Sequence, residues 1–176
     1  MTDGEVDSQM NDKLVSAALA DPAIVVPGFD TSRVMTLIAV VLSNPSTPKK
    51  RLLRAIGTVY LFEVCNKQGD QARWYLDVKK RGRLGSLKAG EKAPLKPDVT
   101  IKISDRDLVG LATGRLQPQK LYAAKRLTVR GDLDRAYLAL RVLSQEREKL
   151  EQVAIDTAVA AAAAGSSTSS APRAKL

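Results

Sequence analysis

Apolar residues recur at a helical spacing early in the chain. Val34, Leu37, Ile38 and Val41 share one helical face, which predicts a helix from Thr31 or Ser32 to about Leu42. A second helix is expected from Thr47 and Pro48 to Gly57, with Leu52, Leu53 and Ile56 on its apolar face. Proline favours the first turn of a helix and glycine its end. The folded part is therefore expected to begin with two helices.

From Thr58 onward the apolar period changes to two, which is typical of strands with one buried face. The expected strands are Thr58–Val64, an alternating segment around Trp74, Leu76 and Val78, a weaker strand over Gly82–Leu87, an alternating segment at Val99, Ile101 and Ile103, and a last strand at Leu127 and Val129. A turn over Asn66–Asp70 predicts a hairpin between the first two. The fold class is α+β, with helices first and a sheet that has one polar face.

Helices are expected to follow the strand at Val99. Ser104 and Asp107 form an S-x-x-D capping box, which predicts a helix ending near Gly114. This capping role explains Asp105 and Asp107, which would otherwise be a candidate acid and base. A short helix is expected from Pro118 to Tyr122, and a long one after Gly131-Asp132 with Leu133, Ala136, Tyr137, Leu140 and Leu143 on one face.

Charge divides the chain unevenly. Residues 1–30 form an acidic N-terminal arm with six acidic residues against Lys13, whereas residues 31–150 carry 25 basic and 11 acidic residues. The arm is expected to hold a short helix near Asp12–Leu19 and otherwise to be a loosely held leader, and folding back on the basic body is the alternative. Residues 151–164 are an Ala-rich helical extension, and residues 165–176 a flexible tail.

Composition excludes several kinds of chemistry. The 176 residues include no histidine and one cysteine, Cys65, so Ser-His-Asp and Cys-His nucleophiles, His-bearing zinc sites and intramolecular disulfides are absent. Aromatic residues make up only 4%, which argues against a base-stacking surface. The longest apolar run, Val34–Leu42, is too short to cross a bilayer, and the acidic N-terminus does not resemble a secretory or mitochondrial leader. No metal or cofactor is expected.

The last three residues match a targeting signal. Ala174, Lys175 and Leu176 follow a Ser-rich spacer, and a terminal tripeptide of small residue, cation and leucine is the peroxisomal pattern. The sequence therefore predicts recognition by a peroxisomal import receptor and a location in the peroxisomal matrix. The alternative is a frayed terminus without function.

Four separated motifs occur in a characteristic order. They are Trp74-Tyr75-Leu76-Asp77-Val78-Lys79, the stretch Pro97–Asp105, the stretch Gly114–Leu121, and Leu127-Thr128-Val129-Arg130-Gly131-Asp132. Over roughly Thr31 to Leu143 this order resembles the sterol carrier protein 2 family of nonspecific lipid-transfer proteins. The resemblance implies a five-stranded, mostly antiparallel sheet with helices packed on one face, enclosing an apolar tunnel for fatty acids, fatty acyl-CoA and sterols. It implies binding and transfer of lipids without catalysis.

Candidate lipid-contacting residues come from the strands and short helices of this region. They are Phe62, Trp74, Leu76, Ile101, Ile103, Leu108, Leu111, Leu121 and Tyr122 as lining, and Gln119 as a polar contact. For each lining residue the alternative is ordinary core packing, and for Gln119 it is a helix-start side chain that faces water.

Seven cations lie between Lys79 and Lys96. Lys79, Lys80, Arg81, Lys88 and Lys92 are the candidates for attracting CoA phosphates or transient contact with an anionic membrane. A solvated strand edge explains the same charges. The nearby glycines resemble a phosphate loop only loosely, since neither G-K-[ST] nor G-x-G-x-x-G is present.

Two other functional classes remain as alternatives. The basic sequence pI of about 9.8 would suit a nucleic-acid binder. However, the cations are dispersed over many elements and no helix-turn-helix or stacking signature is present, so no nucleic acid is expected as a partner. An acyl-CoA-processing enzyme would have to rely on carboxylates alone.

Overall fold

The computed structural model of the protein describes residues 17, 20–45 and 47–145. Their helices are α1 (Thr31–Ser43), α2 (Lys49–Ile56), α3 (Asp105–Ala112), α4 (Pro118–Ala123) and α5 (Leu133–Gln145). Their strands are β1 (Val59–Cys65), β2 (Gln71–Asp77), β3 (Arg83–Leu87), β4 (Val99–Ser104) and β5 (Leu127–Gly131). The predicted Ala-rich extension, the tail and, apart from Ala17, the helix near Asp12–Leu19 lie outside the described residues.

The five strands form one sheet in the order β3-β2-β1-β4-β5. The predicted hairpin is confirmed, since β1 and β2 pair antiparallel and Phe62 lies opposite Trp74. β2 with β3 and β4 with β5 are also antiparallel, whereas β1 and β4 run parallel, with Phe62 opposite Ile101. The sheet is therefore mostly antiparallel, with its parallel pair at the centre.

Alternation along the strands separates the two faces of the sheet. Tyr60, Phe62 and Val64 of β1 are buried on one face, while Leu61 and Glu63 on the other are partly exposed. On the partly exposed face Glu63 forms an ion pair with Lys102 of β4, with 3.4 Å between Oε2 and Nζ. The predicted polar face is thus present.

Helices cover the apolar face of the sheet. α1 contacts α3 and β3, and α5 contacts α3, β4 and β5. Met35 of α1, Leu108 of α3 and Leu140 of α5 are fully buried in the same apolar cluster as the strand residues. None of the helices in the described part of the chain combines the length and apolar character that a membrane span needs.

The segment before α1 packs on the sheet instead of forming a loosely held leader. Ile24 and Phe29 are buried, and the Phe29 ring meets the Trp74 ring edge-on at 5.9 Å between centroids. The Ala23 carbonyl accepts a hydrogen bond of 2.6 Å from the backbone N–H of Ser86 in β3. Ile24 and Phe29 cover apolar surface of β2 and β3 that would otherwise contact water. The free energy gained by this burial outweighs the conformational entropy that the segment loses when it becomes ordered.

The capping box at α3 is present only in part. The Ser104 hydroxyl accepts from the Asp107 N–H at 3.2 Å, as predicted. However, the Asp107 carboxylate binds the guanidinium of Arg126, and the Asp105 carboxylate accepts from the N–H groups of Asp30 at 3.1 Å and Thr31 at 2.8 Å. The expectation that the box alone explains both carboxylates is therefore wrong. In the folded protein both carboxylates accept hydrogen bonds from residues distant in sequence. These bonds are charge-assisted and therefore stronger than bonds between neutral groups.

Candidate functional site

Eight of the ten predicted lipid-contacting residues lie together in one buried layer between the sheet and the helices. They are Phe62, Trp74, Leu76, Ile101, Ile103, Leu108, Leu111 and Leu121. The strand residues share a face because Phe62 pairs with Trp74 on one side and with Ile101 on the other. Leu76 and Ile103 follow two residues along their strands and so lie on that same face.

α3 packs against this layer on the side opposite the sheet. It begins at Asp105, immediately after β4, so the chain turns back over the strand it has just completed. Leu108 and Leu111 are three residues apart, which puts them on one side of the helix, and both are fully buried. From α4, Leu121 is buried in the same cluster.

Gln119 and Tyr122 are not brought together with the other eight. Both side chains are exposed, and Tyr122 is 43% exposed. Residues three apart share a side of α4, and Leu121 occupies the opposite, buried side. The Tyr122 ring instead meets Tyr137 of α5 edge-on at 6.3 Å.

Several residues of the layer were not among the predicted lipid-contacting residues. Ile24 and Phe29 come from the segment before α1, Met35 from α1, Tyr60 from β1 and Leu140 from α5. The only signal for the first two was a short apolar stretch inside an acidic arm. Tyr60 is covered from α5, whose Arg135 carbonyl accepts from the Tyr60 hydroxyl at 2.8 Å, and burial raises the pKa of this tyrosine.

The buried carboxylates near this layer are already engaged. Burial raises the pKa of Asp77, but hydrogen bonds from the N–H groups of Lys80, Lys79 and Arg81 outweigh it and hold the pKa below its ordinary value. Asp107, also buried, binds Arg126 through Nε at 3.1 Å and through Nη2. Among the described residues there is no group of three or more His, Cys, Asp or Glu side chains placed to hold a metal ion.

The structure separates the basic residues into two groups. Lys79, Lys80 and Arg81 form the turn between β2 and β3, whereas Lys88 and Lys92 follow the other end of β3. Five strand residues span about 17 Å, so these groups do not form one patch. Lys79 is also partly neutralised by Asp98, with 3.2 Å between Nζ and Oδ1. The Val59 N–H and then Lys79 lower the pKa of Asp98.

α2 adds cations to the group at the β2–β3 turn. Its Lys49 side chain lies against Gly82, directly beside that turn. The helix also carries Lys50, Arg51 and Arg54, and its first turn contains no acidic residue. Sequence spacing did not predict this combination, because more than 20 residues separate the end of α2 from the turn.

In the described part of the chain, helices cover one face of the sheet, an apolar layer lies between them, and the buried carboxylates of Asp77 and Asp107 both have partners, which makes this an α+β domain with an apolar interior. The model of the SCP-2 sterol transfer family matches residues 39–142, which is more than half of the chain. The protein therefore belongs to this family, as its motifs predicted.

Curated relatives agree with this assignment. The Fatty acid-binding protein of Yarrowia lipolytica is 28% identical over 128 residues, covering 71% of this chain and 97% of that protein. The Oleate-induced peroxisomal protein POX18 of Candida maltosa is 32% identical over 114 residues, covering 65% and 87%. The Peroxisomal multifunctional enzyme A of Dictyostelium discoideum is 32% identical over 117 residues, and the chain spans only 25% of that protein.

The fold also matches a solved structure of the same family. The apo form of Sterol Carrier Protein 2 from Yarrowia lipolytica superposes with a TM-score of 0.64 at 28% identity, covering 70% of this chain and 95% of that one. The architecture predicted from the motifs, a mostly antiparallel five-stranded sheet with helices, is thus confirmed.

Proposed function

We propose that the protein binds the apolar body of a long-chain lipid between the sheet and its helices and carries it without chemical change. The observation that carries this proposal is the apolar layer around Phe62, Trp74 and Leu108 in a member of a sterol transfer family. A relative named a fatty acid-binding protein supports fatty acids as ligands. Fatty acyl-CoA and sterols are the other proposed ligands.

Apolar burial supplies enough energy for such binding. A chain of about 15 methylenes gains roughly 12 kcal/mol on leaving water, before the costs of immobilisation. The eight buried candidates are the proposed tunnel lining. Gln119 and Tyr122, on the exposed side of α4, are the proposed contacts where the ligand leaves the layer.

Displacement of a fluorescent fatty acid tests this function. Delipidated, folded protein is expected to bind it with micromolar or tighter affinity, and palmitoyl-CoA is expected to displace it. Leu108→Asp should abolish binding, because a carboxylate in an apolar layer is strongly disfavoured. Arg106→Asp, at an exposed position of the same helix, is the control that should bind normally. Circular dichroism must show both variants folded, and absence of saturable wild-type binding would contradict the proposal.

A carrier role is favoured over catalysis by the state of the carboxylates. Asp77 accepts three backbone hydrogen bonds, and Asp107 is paired with Arg126, so neither has a free oxygen for general acid or base work. Incubation with palmitoyl-CoA followed by mass spectrometry should return the ester intact. Steady turnover of the thioester would favour an enzyme instead.

The peroxisomal matrix is the proposed location. The support is the terminal Ala174-Lys175-Leu176, which lies outside the described residues, together with relatives whose names place them in peroxisomes. An import receptor that reads this tripeptide is the proposed partner. A fluorescent fusion lacking the three residues should stay in the cytosol, and its entry into peroxisomes would show that the tail is not the address.

The two basic groups are proposed to attract anionic surfaces or CoA phosphates. Reversal of Lys80 and Arg81 to Glu tests the group beside α2, and reversal of Lys88 and Lys92 tests the other end of β3. If a basic group acts on membranes, its charge reversal should slow lipid transfer to anionic vesicles, and the size of this effect should depend on the salt concentration. Sterol binding by the same variant should stay nearly unchanged. Equal loss of both activities, or no salt dependence, would leave that group a solvated surface.

A further inference from the structure

A surface of seven cations forms where α2 meets the turn between β2 and β3. Lys49 of α2 lies against Gly82 of the turn, since a Cβ added to this glycine would come 2.5 Å from Cε of the lysine. Lys49 is partly buried, and the other six cations are exposed. We call the seven residues the basic surface. They are Lys49, Lys50, Arg51 and Arg54 of α2, Lys80 and Arg81 of the turn, and Arg83 of β3.

The charges of the basic surface are not balanced within the described part of the chain. None of the ion pairs among the described residues includes one of the seven cations. Asp77 lies at the same turn, but its carboxylate is buried and accepts from three backbone N–H groups. Within α2, Arg54 is four residues from Lys50 and three from Arg51, so like charges face each other and weaken the helix. The basic surface therefore attracts an anionic partner.

The acidic N-terminal arm joins the folded domain beside this surface. The Ala23 carbonyl accepts its hydrogen bond from the Ser86 N–H of β3, which is an edge strand of the sheet. Ser86 is three residues from Arg83, or about 10 Å along the strand. The arm is thus attached next to the strand that carries part of the basic surface.

The length and charge of residues 1–16 suit the basic surface. Their acidic residues are Asp3, Glu5, Asp7 and Asp12, and their one basic residue is Lys13. Asp12 precedes Ala23 by 11 residues, which span up to about 36 Å when extended. The eight residues of α2 extend over only about 12 Å. The carboxylates of the arm can therefore reach every part of the basic surface without any change in the fold.

The basic group at the other end of β3 is also within reach, so charge decides between the two. Lys88 and Lys92 flank Glu91, whose carboxylate accepts from the Lys88 N–H at 2.8 Å. An acidic residue among the cations reduces their attraction for a segment with several carboxylates. By contrast, α2 and residues 80–83 contain no acidic residue. The surface beside α2 is therefore the stronger site for the arm.

We propose that residues 1–16 dock on the basic surface through their carboxylates and shield it from anionic membranes. The docking requires only these two segments, whereas the shielding rests on the proposed attraction of this surface to membranes. A single exposed ion pair is weak, but a covalently attached segment has an effective concentration of about 1 mM. Several weak pairs together therefore hold the arm in place. A membrane with many anionic headgroups displaces it.

Paramagnetic broadening in the full chain tests the docking. Cys65 is exposed and is replaced in Cys65→Ser, and a nitroxide is attached to the arm through Ser8→Cys. The amide signals of α2 and of the β2–β3 turn should be broadened at low salt. They should recover at about 0.5 M salt, where charges are screened beyond about 4 Å.

A neutral arm is the matched control for the broadening. It carries Asp3→Asn, Glu5→Gln, Asp7→Asn and Asp12→Asn, which keep the size of each side chain and remove its charge. With the same nitroxide, the neutral arm should broaden α2 at low salt no more than the wild-type arm does at high salt.

Binding to vesicles tests the shielding. The vesicles contain phosphatidylcholine and phosphatidylserine, and vesicles of phosphatidylcholine alone are the uncharged control. At low salt, the neutral-arm protein should bind the anionic vesicles about 5- to 10-fold more tightly than the wild type.

A double-mutant cycle assigns this effect to the basic surface. In the background of Lys50→Glu with Arg54→Glu, neutralising the arm should change vesicle affinity less than about twofold, because the docking site is lost. In the background of Lys88→Glu with Lys92→Glu, neutralising the arm should keep its full effect. Circular dichroism must show that all variants are folded.

The NMR outcomes decide whether and where the arm docks. Broadening of α2 that is equal for the wild-type and neutral arms overturns the docking. Broadening centred on Lys88 and Lys92 overturns the choice of surface. A mixture of nitroxide-bearing protein and isotope-labelled protein without nitroxide should show no broadening, and broadening there would mean that the arm docks on a second copy.

The vesicle outcomes separate the shielding from the proposed function. If the arm docks but its neutralisation leaves vesicle affinity unchanged, the shielding is overturned. If no variant binds anionic vesicles, the proposed attraction of this surface to membranes fails as well, whereas the docking seen by NMR stands. Failure of the wild type to bind a fluorescent fatty acid would overturn the proposed lipid binding and leave the docking unaffected.

Discussion

The indole Nε1–H of Trp74 donates a hydrogen bond of 2.7 Å to the carbonyl oxygen of Ile24. The two residues are 50 positions apart, and the bond is buried. A buried indole needs such an acceptor, because its N–H loses water when the ring packs. The bond fixes the segment before α1 against β2 and makes that segment part of the wall of the apolar layer.

Phe29→Ala is expected to destabilise the protein by about 3 kcal/mol, because it leaves a cavity beside Trp74. Phe29 is buried and meets the Trp74 ring edge-on. Chemical denaturation followed by Trp74 fluorescence measures the effect, and the folded-state emission should shift to longer wavelength as water reaches the ring. Arg33→Ala, at an exposed position of α1, is the control. Equal stabilities of Phe29→Ala and the wild type would show that this segment does not pack as described.

Gly131→Ala is expected to cost about 3 kcal/mol and Gly69→Ala only about 1 kcal/mol. Both glycines have positive φ, +101° and +89°, so alanine is strained at either position. At Gly131 the added Cβ would also lie 2.3 Å from the Asp98 carbonyl oxygen, whereas at Gly69 nothing lies within 4 Å. Urea denaturation of both variants measures the difference, and similar losses would contradict the close approach of β5 to the start of β4.

Lys125→Gly is expected to stabilise the protein by about 1 kcal/mol. Lys125 has φ of +57° at the end of α4, where the N–H of Arg126 bonds the Leu121 carbonyl at 2.9 Å. Glycine favours this left-handed position of a helix end. Lys120→Gly makes the same substitution inside α4 and should instead destabilise by about 1 kcal/mol. A loss of stability in both variants, measured by thermal unfolding, would contradict the expectation.

Asp77→Asn is expected to cost about 1–3 kcal/mol at pH 7, because the carboxylate binds three N–H groups of the β2–β3 turn. The folded-state pKa of Asp77 lies below its ordinary value of 3.8. Its contribution is therefore complete above that pH and is lost as the pH falls through the folded-state pKa.

The difference between wild type and Asp77→Asn should consequently shrink in acid. Denaturation at a series of pH values from 7 to about 2 measures it, with Asp134→Asn, exposed at the start of α5, as the control. A difference that stays constant down to the lowest pH would show that the charge of Asp77 does not support the turn.

Local patterns predicted the elements of this protein well. The alternation around Trp74 and Ile101 identified strands and their buried face, because the period of two is a property of the extended chain itself. Ser104 before Asp107 and Pro118 marked helix starts that the structure confirms. These signals depend only on neighbouring residues, so they can be read without knowledge of the rest of the molecule.

Pairings between distant residues were decided by the tertiary structure. The sequence alone determined the elements, the buried faces of the strands, the four family motifs and most of the candidate layer. Only the fold decided that Asp105 caps α1, that Asp107 binds Arg126, and that Lys49 joins the basic turn after β2. A carboxylate or an ammonium group has several possible partners of similar energy in an unfolded chain, and the choice is made by which elements the buried apolar surface brings together.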